Sequence, residues 1–349
     1  MPATLPTGYR EVRLELTDPA RREDVEAWTT VQNAASRHDL GEHEASWTAT
    51  ELVGHARSES YDRVHAGVVD ERTGEWAGFL RLSLPLADNR HLATVLLHVH
   101  PAHRERGIGA WLLGLAEREA AARGRTALIG EVNRPDAQAD SLAACFAEHR
   151  GYLVGQRVLR SDQRLDDPVV LRALQAADER CAAAAGAAGY DLETAVDGIP
   201  EEWLEDRAHL SRRMSTDAPA GELALEEEEW DADRVRQDYE IALAARRVVE
   251  TVVRHRRSGR LVGFTVVGVS PGPPVVGYQQ DTLVLREHRG HALGLALKAR
   301  NALALAEAMP DVPVVRTFNA DDNAHMLAVN RELGYRTTVV VEIRQKRLA

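Results

Sequence analysis

Two glycine-containing turns carry residue types suited to binding an anion. The first reads Arg-Glu-Arg-Gly-Ile-Gly (104–109), and the second reads Arg-Gly-His-Ala-Leu-Gly (289–294). Each turn follows an apolar run and precedes a helical pattern. Small residues let a ligand approach the backbone, and the unpaired N–H groups of a helix start favour a pyrophosphate. The spacing matches neither the G-x-G-x-x-G dinucleotide fingerprint nor a P-loop, which disfavours the first and excludes the second.

The two turns lie within an internal repeat whose copies are about 185 residues apart. RTGEWAGF (72–79) matches RSGRLVGF (257–264), and Gly8-Tyr9 matches Gly189-Tyr190. Ordered matches at a nearly constant spacing indicate a duplicated domain of ordinary size rather than a solenoid of short units. The sequence therefore predicts an N-terminal domain, an alanine-rich connecting helix or linker and a C-terminal domain, at residues 1–160, 161–188 and 189–349.

Each copy predicts the same order of elements around its turn. An opening strand (9–16; 190–196) leads into polar helical segments and a hairpin, and an apolar strand then precedes the turn. A long helix follows it (108–122; 293–308), and a strand (126–132; 312–318), a short helix (139–149; 321–332) and a last strand complete the copy. This order predicts an α/β (α+β) fold with a mixed sheet in each copy.

Composition narrows the classes of function. The chain has 349 residues, 44% of them hydrophobic, and a net charge of −11, which disfavours nucleic acid or an anionic membrane as a partner. No apolar run is long enough to span a bilayer, and no secretory signal pattern is present. Cys145 and Cys181 are the only cysteines, so we expect a cytoplasmic protein with reduced thiols. We also expect a monomer or a homodimer. His98, His100 and His103 lack the partners of a metal site, and we expect no metal.

At these turns the sequence resembles the GNAT acetyltransferases, whose acyl-CoA pyrophosphate loop reads R-x-x-G-x-G/A after an apolar strand. The first copy matches this loop fully, whereas the second has Ala292 where the family has Gly. QDTLVLREHRGHALGLALK (280–298), TFNADDNAHMLAVNRELGY (317–335) and RRMSTDAP (212–219) resemble the two-copy GNAT proteins of actinobacterial type. The resemblance implies two tandem GNAT-like domains, each a mixed, mostly antiparallel twisted sheet flanked by helices.

The resemblance also implies acetyl-CoA as cosubstrate and the residues that hold it. The pantetheine arm would pair with the strand before the turn, at His98 and Val99 or at Leu283 and Val284. The pyrophosphate would lie against the turn and helix start, at Arg104, Arg106, Gly107, Ile108, Gly109 and Ala110 or at Arg289, Gly290, His291, Ala292, Leu293 and Gly294. Asn323 would either bond the pantetheine or cap the following helix.

Direct transfer of an acetyl group to a free amine requires a base and an oxyanion donor. Asp281 is the first candidate base, because it begins the strand that would carry the acetyl group, where the first copy has Leu96. A turn-capping or Arg-paired Asp is an equally good interpretation. Glu250 on the neighbouring strand is the second candidate, although an exposed strand carboxylate is the simpler interpretation.

The family's general acid, a Tyr in N-x-x-A-x-x-x-Y, is missing from both copies. The second copy has Asn330 in its place and the first has Ala147. Asp217 is the candidate for binding a cationic acceptor, and a turn-forming Asp is the alternative. The sequence thus predicts an N-acetyltransferase that acts on a small-molecule amine, and it favours the C-terminal copy as catalytic. A protein N-acetyltransferase and a non-catalytic acyl-CoA sensor are the alternatives.

Overall fold

The computed structural model describes residues 4–41, 44, 47–58, 60–135, 141–217, 228–269 and 275–348. These residues form two compact units. The N-terminal unit consists of the described residues up to Arg157 together with those from Val341 onwards, and the C-terminal unit consists of the described residues from Val158 to Val340. No helix among the described residues is long and apolar enough to cross a membrane.

The N-terminal unit contains a mixed sheet in the order β1-β2-β3-β4-β5, antiparallel except for the parallel β4–β5 pair. Its elements are β1 Tyr9–Arg13, α1 Arg22–Leu40, α2 Ala49–Ala56, β2 Tyr61–Asp70, β3 Trp76–Pro85, β4 Leu92–Val99, α3 Ile108–Ala122, β5 Ala127–Pro135, α4 Leu142–His149 and the start of β6 Leu153–Arg164.

Alternating side chains of this sheet enter two cores on its opposite faces. Leu80 and Leu82 pack beneath α3 with Leu112, whereas Phe79 packs beneath α1 with Trp28. The period of two that places neighbouring residues on opposite faces of a strand explains this division. We call these two faces the α3 face and the α1 face.

The C-terminal unit contains a mixed sheet in the order β6-β11-β10-β9-β8-β7, in which only β10 and β11 are parallel. Its elements are the rest of β6, α5 Pro168–Ala187, β7 Tyr190–Val196, α6 Leu204–Asp217, α7 Ala232–Ala245, β8 Arg247–His255, β9 Leu261–Val269, β10 Gly277–Val284, α8 Leu293–Ala308, β11 Val314–Ala320, α9 Ala324–Glu332 and the start of β12 Arg336–Arg347. The faces covered by α6 and α8 are called the α6 face and the α8 face.

Two stretches differ from the domain limits expected from the sequence. The helix α5, expected within a connecting segment, packs Leu174 and Cys181 into a core of the C-terminal unit that also contains Leu305. The end of the chain, expected in the C-terminal domain, lies with the N-terminal unit. There Ile343 packs on Leu92, Ala127 and Ile129, and the Leu348 amide donates to the Thr126 carbonyl at 2.8 Å. Both differences follow from packing. The apolar face of α5 is buried in the core that contains Leu305, and the end of the chain is buried on Leu92, Ala127 and Ile129.

The long helices after the two turns are Ile108–Ala122 and Leu293–Ala308, which confirms both predicted spans. The opening strand of the N-terminal unit is shorter than expected and ends at Arg13. The cause is local, because β1 pairs with β2 only from Tyr9 to Arg13, and Leu14 and Leu16 instead enter the core beneath α1.

Candidate functional site

The parallel pair β4 and β5 of the N-terminal unit separates midway along β4. Leu92–Val95 pair with Ala127–Gly130, whereas β4 continues to pair with β3 as far as Val99. The edge of residues 96–99 that faces β5 therefore has no strand partner within the described ladder. An unpaired strand edge presents N–H and C=O groups that an extended ligand can bond.

The equivalent pair of the C-terminal unit separates earlier and contains an irregularity. Only Gly277 and Tyr278 of β10 pair with β11, while β10 pairs with β9 as far as Val284. Between Gln279 and Thr282 the β9–β10 register shifts, so that Gln280 and Asp281 together lie opposite Val266. Such a bulge re-aims side chains. In the N-terminal unit Leu96 alone lies opposite Arg81.

Hydrogen bonding decides which backbone groups face the open edges. The amides of His100 and Leu285 donate to the carbonyls of Ala77 and Val262, at 2.9 Å each. Since alternate residues of an antiparallel strand bond to the same neighbour, His98 and Leu283 also direct their backbone towards β3 and β9. Of the two predicted pantetheine pairs, only Val99 and Val284 direct their backbone towards the open edge.

The arginine that begins each turn bonds back to the strand. Nε of Arg104 donates to the Val99 carbonyl at 3.2 Å, and Nε of Arg289 donates to the Val284 carbonyl at 3.0 Å. Arg104 also forms two hydrogen bonds to Asp39, of 2.7 and 2.9 Å. This guanidinium lowers the pKa of Asp39 against the opposing effect of burial. Arg104, predicted to contact the cofactor, thus closes the turn onto β4 and α1.

The turns themselves adopt left-handed backbone conformations immediately before α3 and α8. Gly107 has φ of 86°, and Ala292 at the equivalent place has φ of 52°. A left-handed alanine costs about 1–2 kcal/mol relative to a right-handed one. The second turn therefore keeps the same shape without its glycine. Residues 108–110 and 293–294, predicted to contact the cofactor, form the first helical turns, whose amides lack intrahelical partners.

A tyrosine–histidine pair supports each turn. The sequence analysis showed the two tyrosines only as matching positions of the internal repeat. The hydroxyl of Tyr9 lies 3.0 Å from Nδ1 of His103, and the hydroxyl of Tyr190 lies 3.0 Å from Nδ1 of His288. Nη1 of Arg106 donates to the Tyr9 hydroxyl at 3.1 Å. In the C-terminal unit the ring of His291 lies 5.4 Å from that of Tyr190. Arg106 and His291 are therefore both oriented by a tyrosine.

Asp281 lies in the bulge of β10, in the part of the strand beyond its pairing with β11. Its side chain is accessible to solvent, yet protein surrounds it closely enough to raise its pKa by desolvation. The Arg207 guanidinium opposes this rise, and the Glu228 carboxylate adds to it. An accessible carboxylate with a raised pKa is suited to accept a proton from a ligand.

Glu250 is fully buried, and both of its carboxylate oxygens are engaged. Nε of Arg207 donates to one oxygen and the hydroxyl of Tyr239 to the other. Burial raises the pKa of Glu250 against the lowering effect of Arg207, and the nearby Asp281 carboxylate raises it further. The Arg207 guanidinium also lies 3.6 Å above the ring of Phe264. Sequence analysis missed Arg207 and Tyr239, because nothing in a helical pattern distinguishes a buried Arg from an exposed one.

Two further candidates have structural partners, and a third lies outside the described side chains. Oδ1 of Asn323 accepts from the amide of Met326 at 3.2 Å. Asn323 therefore caps α9, which is one of the two roles that the sequence left open. Asn330, in the position of the missing Tyr, donates from Nδ2 to Oδ1 of Asn319 at 2.6 Å. The side chain of Asp217 is not among those described. Among the described residues, no group of His, Cys, Asp and Glu could hold a metal ion.

Comparison with protein families finds one match within the N-terminal unit. The sequence model of the acetyltransferase (GNAT) family matches residues 28–152, which include the first turn, β4 and β5. No curated protein sequence matches the chain at a significant level.

Solved structures resemble the whole chain. A tandem GNAT protein from the clavulanic acid biosynthesis pathway is 28% identical, over 98% of this chain and 99% of its own, with a TM-score of 0.76. A GCN5-related N-acetyltransferase from Sphaerobacter thermophilus is 17% identical over 99% and 97% of the two chains (TM-score 0.65). N-myristoyltransferase of Saccharomyces cerevisiae with bound myristoyl-CoA is 11% identical over 99% and 79% (TM-score 0.63), which shows a shared fold. The chain therefore matches the acetyltransferase (GNAT) family over residues 28–152 and resembles a tandem GNAT protein over nearly its whole length.

Proposed function

We propose that this protein transfers an acetyl group from acetyl-CoA directly to the amine of a small molecule, with Asp281 of the C-terminal unit as general base. The observation that carries the proposal is the bulge of β10. It presents a solvent-accessible carboxylate with a raised pKa beside an open strand edge, ahead of a turn and helix start suited to a pyrophosphate.

The chemistry requires one proton acceptor and one leaving group. The amine nitrogen attacks the thioester carbonyl carbon, the C–N bond forms, and the C–S bond breaks. Asp281 takes one proton from the substrate ammonium before the attack, and the proton that the nitrogen loses as the amide forms passes through water to the CoA thiolate. Amides at the edge of β10 are available to hold the developing oxyanion.

Glu250 has a different role in this proposal. Because it is fully buried and its two oxygens already accept from Arg207 and Tyr239, an incoming amine does not reach it. It holds Arg207 over Phe264, where the guanidinium limits the rise in the pKa of Asp281. The ionised carboxylate is the form that accepts a proton, and Arg207 favours this form of Asp281.

A small acceptor fits the surroundings of Asp281 better than a protein segment. The residue is accessible to solvent, yet enough protein surrounds it to desolvate its carboxylate, with Arg207 of α6 nearby. A carboxylate surrounded in this way suits a small ligand that the protein can enclose.

Amine-dependent release of CoA from acetyl-CoA tests the function. We expect release to depend on one class among a panel of monoamines, diamines, amino sugars and amino acids, and the acetylated amine to accumulate in equal amount. If the purified protein binds acetyl-CoA but releases no CoA with any amine, it is a sensor and the proposal fails. Transfer only to lysine-containing peptides would instead identify a protein acetyltransferase.

A further inference from the structure

A second carboxylate lies at the separated strands of the N-terminal unit, on the opposite strand from the one that carries Asp281 in the C-terminal unit. Gly130 is the last residue of β5 that pairs with β4, and Glu131 follows it directly. Leu96, the first residue of β4 beyond the paired stretch, lies opposite Arg81 of β3. Arg81 and Glu131 are therefore at the same level of the sheet, on either side of Leu96. By contrast, β11 (Val314–Ala320) contains no acidic residue.

Both side chains project from the α1 face. Leu80 and Leu82, which flank Arg81, pack into the core beneath α3. Leu128 and Val132, which have the opposite parity to Glu131 on β5, pack into the same core. Since side chains of a strand alternate between faces, Arg81 and Glu131 share the α1 face, on which Phe79 also lies.

The two charges influence each other without direct contact. Among the described residues, no hydrogen bond or ion pair joins Arg81 to Glu131 or to any other group. Burial lowers the pKa of Arg81 and raises the pKa of Glu131, and each charge partly offsets the effect on the other. Glu131 nevertheless remains accessible to solvent. Two desolvated opposite charges held apart gain most when a ligand bearing both charges lies between them.

Of the described charged groups that act on Arg81, only Glu131 is negative. Burial lowers the pKa of His98 to about 4, so its ring, stacked on Phe79, is neutral at pH 7. Arg63 on β2 adds a second positive charge that acts on Arg81. The Arg81 guanidinium also lies 5.9 Å from the centre of the Trp47 ring.

We propose that the N-terminal unit holds a second acceptor site, for an amine that carries a carboxylate in the same molecule, as an amino acid does. Arg81 binds the carboxylate, and Glu131 takes the proton of the ammonium group. The neutral amine nitrogen then attacks the carbonyl carbon of the acyl-CoA thioester, the C–N bond forms and the C–S bond breaks, and the proton that the nitrogen loses passes through water to the thiolate. This site is independent of Asp281 and uses a different class of acceptor.

Matched acceptors that differ only in the carboxylate test the proposal. Phenylalanine is compared with phenethylamine, and leucine with isoamylamine, by release of CoA from acetyl-CoA. The assay uses an Asp281→Asn background, so that turnover reports on the N-terminal unit. We expect turnover of the amino acids, with a kcat/KM at least about 10-fold above that of the amines, since a charge-assisted bond to Arg81 is absent with the latter.

Substitution of Arg81 separates binding from a structural effect. Arg81→Gln is expected to raise KM for the amino acids by about 10- to 100-fold, with little change for the matched amines. Arg118→Gln, which removes the same charge from an exposed position of α3, is the control and should change neither. Arg81→Lys should recover part of the affinity, because it retains the charge without the bidentate geometry.

Substitution of Glu131 tests its role as the base. Glu131→Gln is expected to lower kcat for the amino acids by about 10²- to 10⁴-fold with little change in KM. Glu148→Gln, at an exposed position of α4, is the matched control.

Three results would overturn the proposal. They are equal kcat/KM for amino acids and matched amines, indistinguishable Arg81→Gln and Arg118→Gln proteins, or no turnover of any amino acid in the Asp281→Asn background. Calorimetric titration with N-acetylphenylalanine in the presence of CoA is an independent check that needs no catalysis. Its binding should weaken in Arg81→Gln, and unchanged binding would also refute the assignment.

Discussion

The N-terminal and C-terminal units repeat the same strand, turn and helix but place their accessible carboxylates on different strands. The C-terminal unit has Asp281 in a bulge of the strand before the turn, where the N-terminal unit has Leu96. The N-terminal unit has Glu131 on the strand after the helix. The turn for the shared cosubstrate has thus kept its shape, whereas the residues that would meet the acceptor have diverged.

The two units also differ in the side chains that pack against Phe79 and Phe264. In the N-terminal unit Trp28 stacks on Phe79 at 4.3 Å and meets the ring of His65 edge-on. In the C-terminal unit Arg207 lies over Phe264 and binds Glu250. Phe79 and Phe264 are equivalent in the repeat. Burial lowers the pKa of His65 to about 4, so the N-terminal group is neutral, whereas the C-terminal one contains an ion pair.

The largest effect on stability is expected from separating this ion pair. Arg207→Met leaves the carboxylate of Glu250 buried with Tyr239 as its remaining donor, which should lower the free energy of unfolding by about 3–5 kcal/mol. The double variant Arg207→Met/Glu250→Gln removes both charges and should recover much of that loss. Urea denaturation measures both, and a single variant that loses less than about 1 kcal/mol would show that the two contrasting groups are equivalent in stability.

Replacement of Lys298 is expected to have an intermediate effect on stability, and this effect depends on pH. It is buried on α8 against the ring of Tyr335, and burial lowers its pKa from 10.5 to about 7. Between these values the folded protein binds fewer protons than the unfolded chain, so the free energy of unfolding rises with pH. Lys298→Leu introduces the residue type of the equivalent Leu113. It should stabilise the protein by on the order of 2 kcal/mol at pH 6, and by less at pH 9.

Parallel melts of the wild-type and Lys298→Leu proteins across this range measure the difference. Lys346→Leu, the same change at a lysine that pairs with Glu117 at 2.8 Å, is the control and should not stabilise. A Lys298→Leu protein whose advantage is constant with pH would show that Lys298 titrates normally.

The smallest effect concerns the two turns. Ala292→Gly should stabilise the C-terminal unit by about 1 kcal/mol, and Gly107→Ala should destabilise the N-terminal unit by a similar amount, because both residues are left-handed. A Cβ at Gly107 would meet only Pro6, at 3.5 Å, so the cost is conformational. Thermal melts check the signs. If Ala292→Gly destabilises or Gly107→Ala stabilises, the two turns differ in more than the residue at this position.

The sequence carried enough information to predict the helices after the turns, since apolar periodicity and the terminal glycines are local signals. The bulge of β10 has no such signal, because a register shift exists only relative to β9. Asp281 could be recognised as a candidate because the equivalent residue of the first copy is Leu96. The bulge that holds it and the groups that shift its pKa could not be predicted. Arg207 escaped notice because a charged residue within a periodic pattern is ordinarily exposed, and Glu131 because its place beside Leu96 and Arg81 exists only in the paired strands. The burial of Ile343 in the N-terminal unit likewise depends on distant partners.

The pH–rate profile of Asp281→Asn, with the amine that the wild-type protein turns over best among those without a carboxylate, tests the account most directly. We predict a loss of about 10²- to 10⁴-fold in kcat that shrinks at high pH, where the amine is already neutral, with unchanged affinity for acetyl-CoA. Because desolvation raises the pKa of Asp281, its charge is unfavourable in the folded state, so the melting temperature should be equal or higher. Asp321→Asn, at an exposed position, should resemble the wild-type protein. An Asp281→Asn protein with an unshifted profile, or one that melts at a lower temperature and binds acetyl-CoA weakly, would contradict the account.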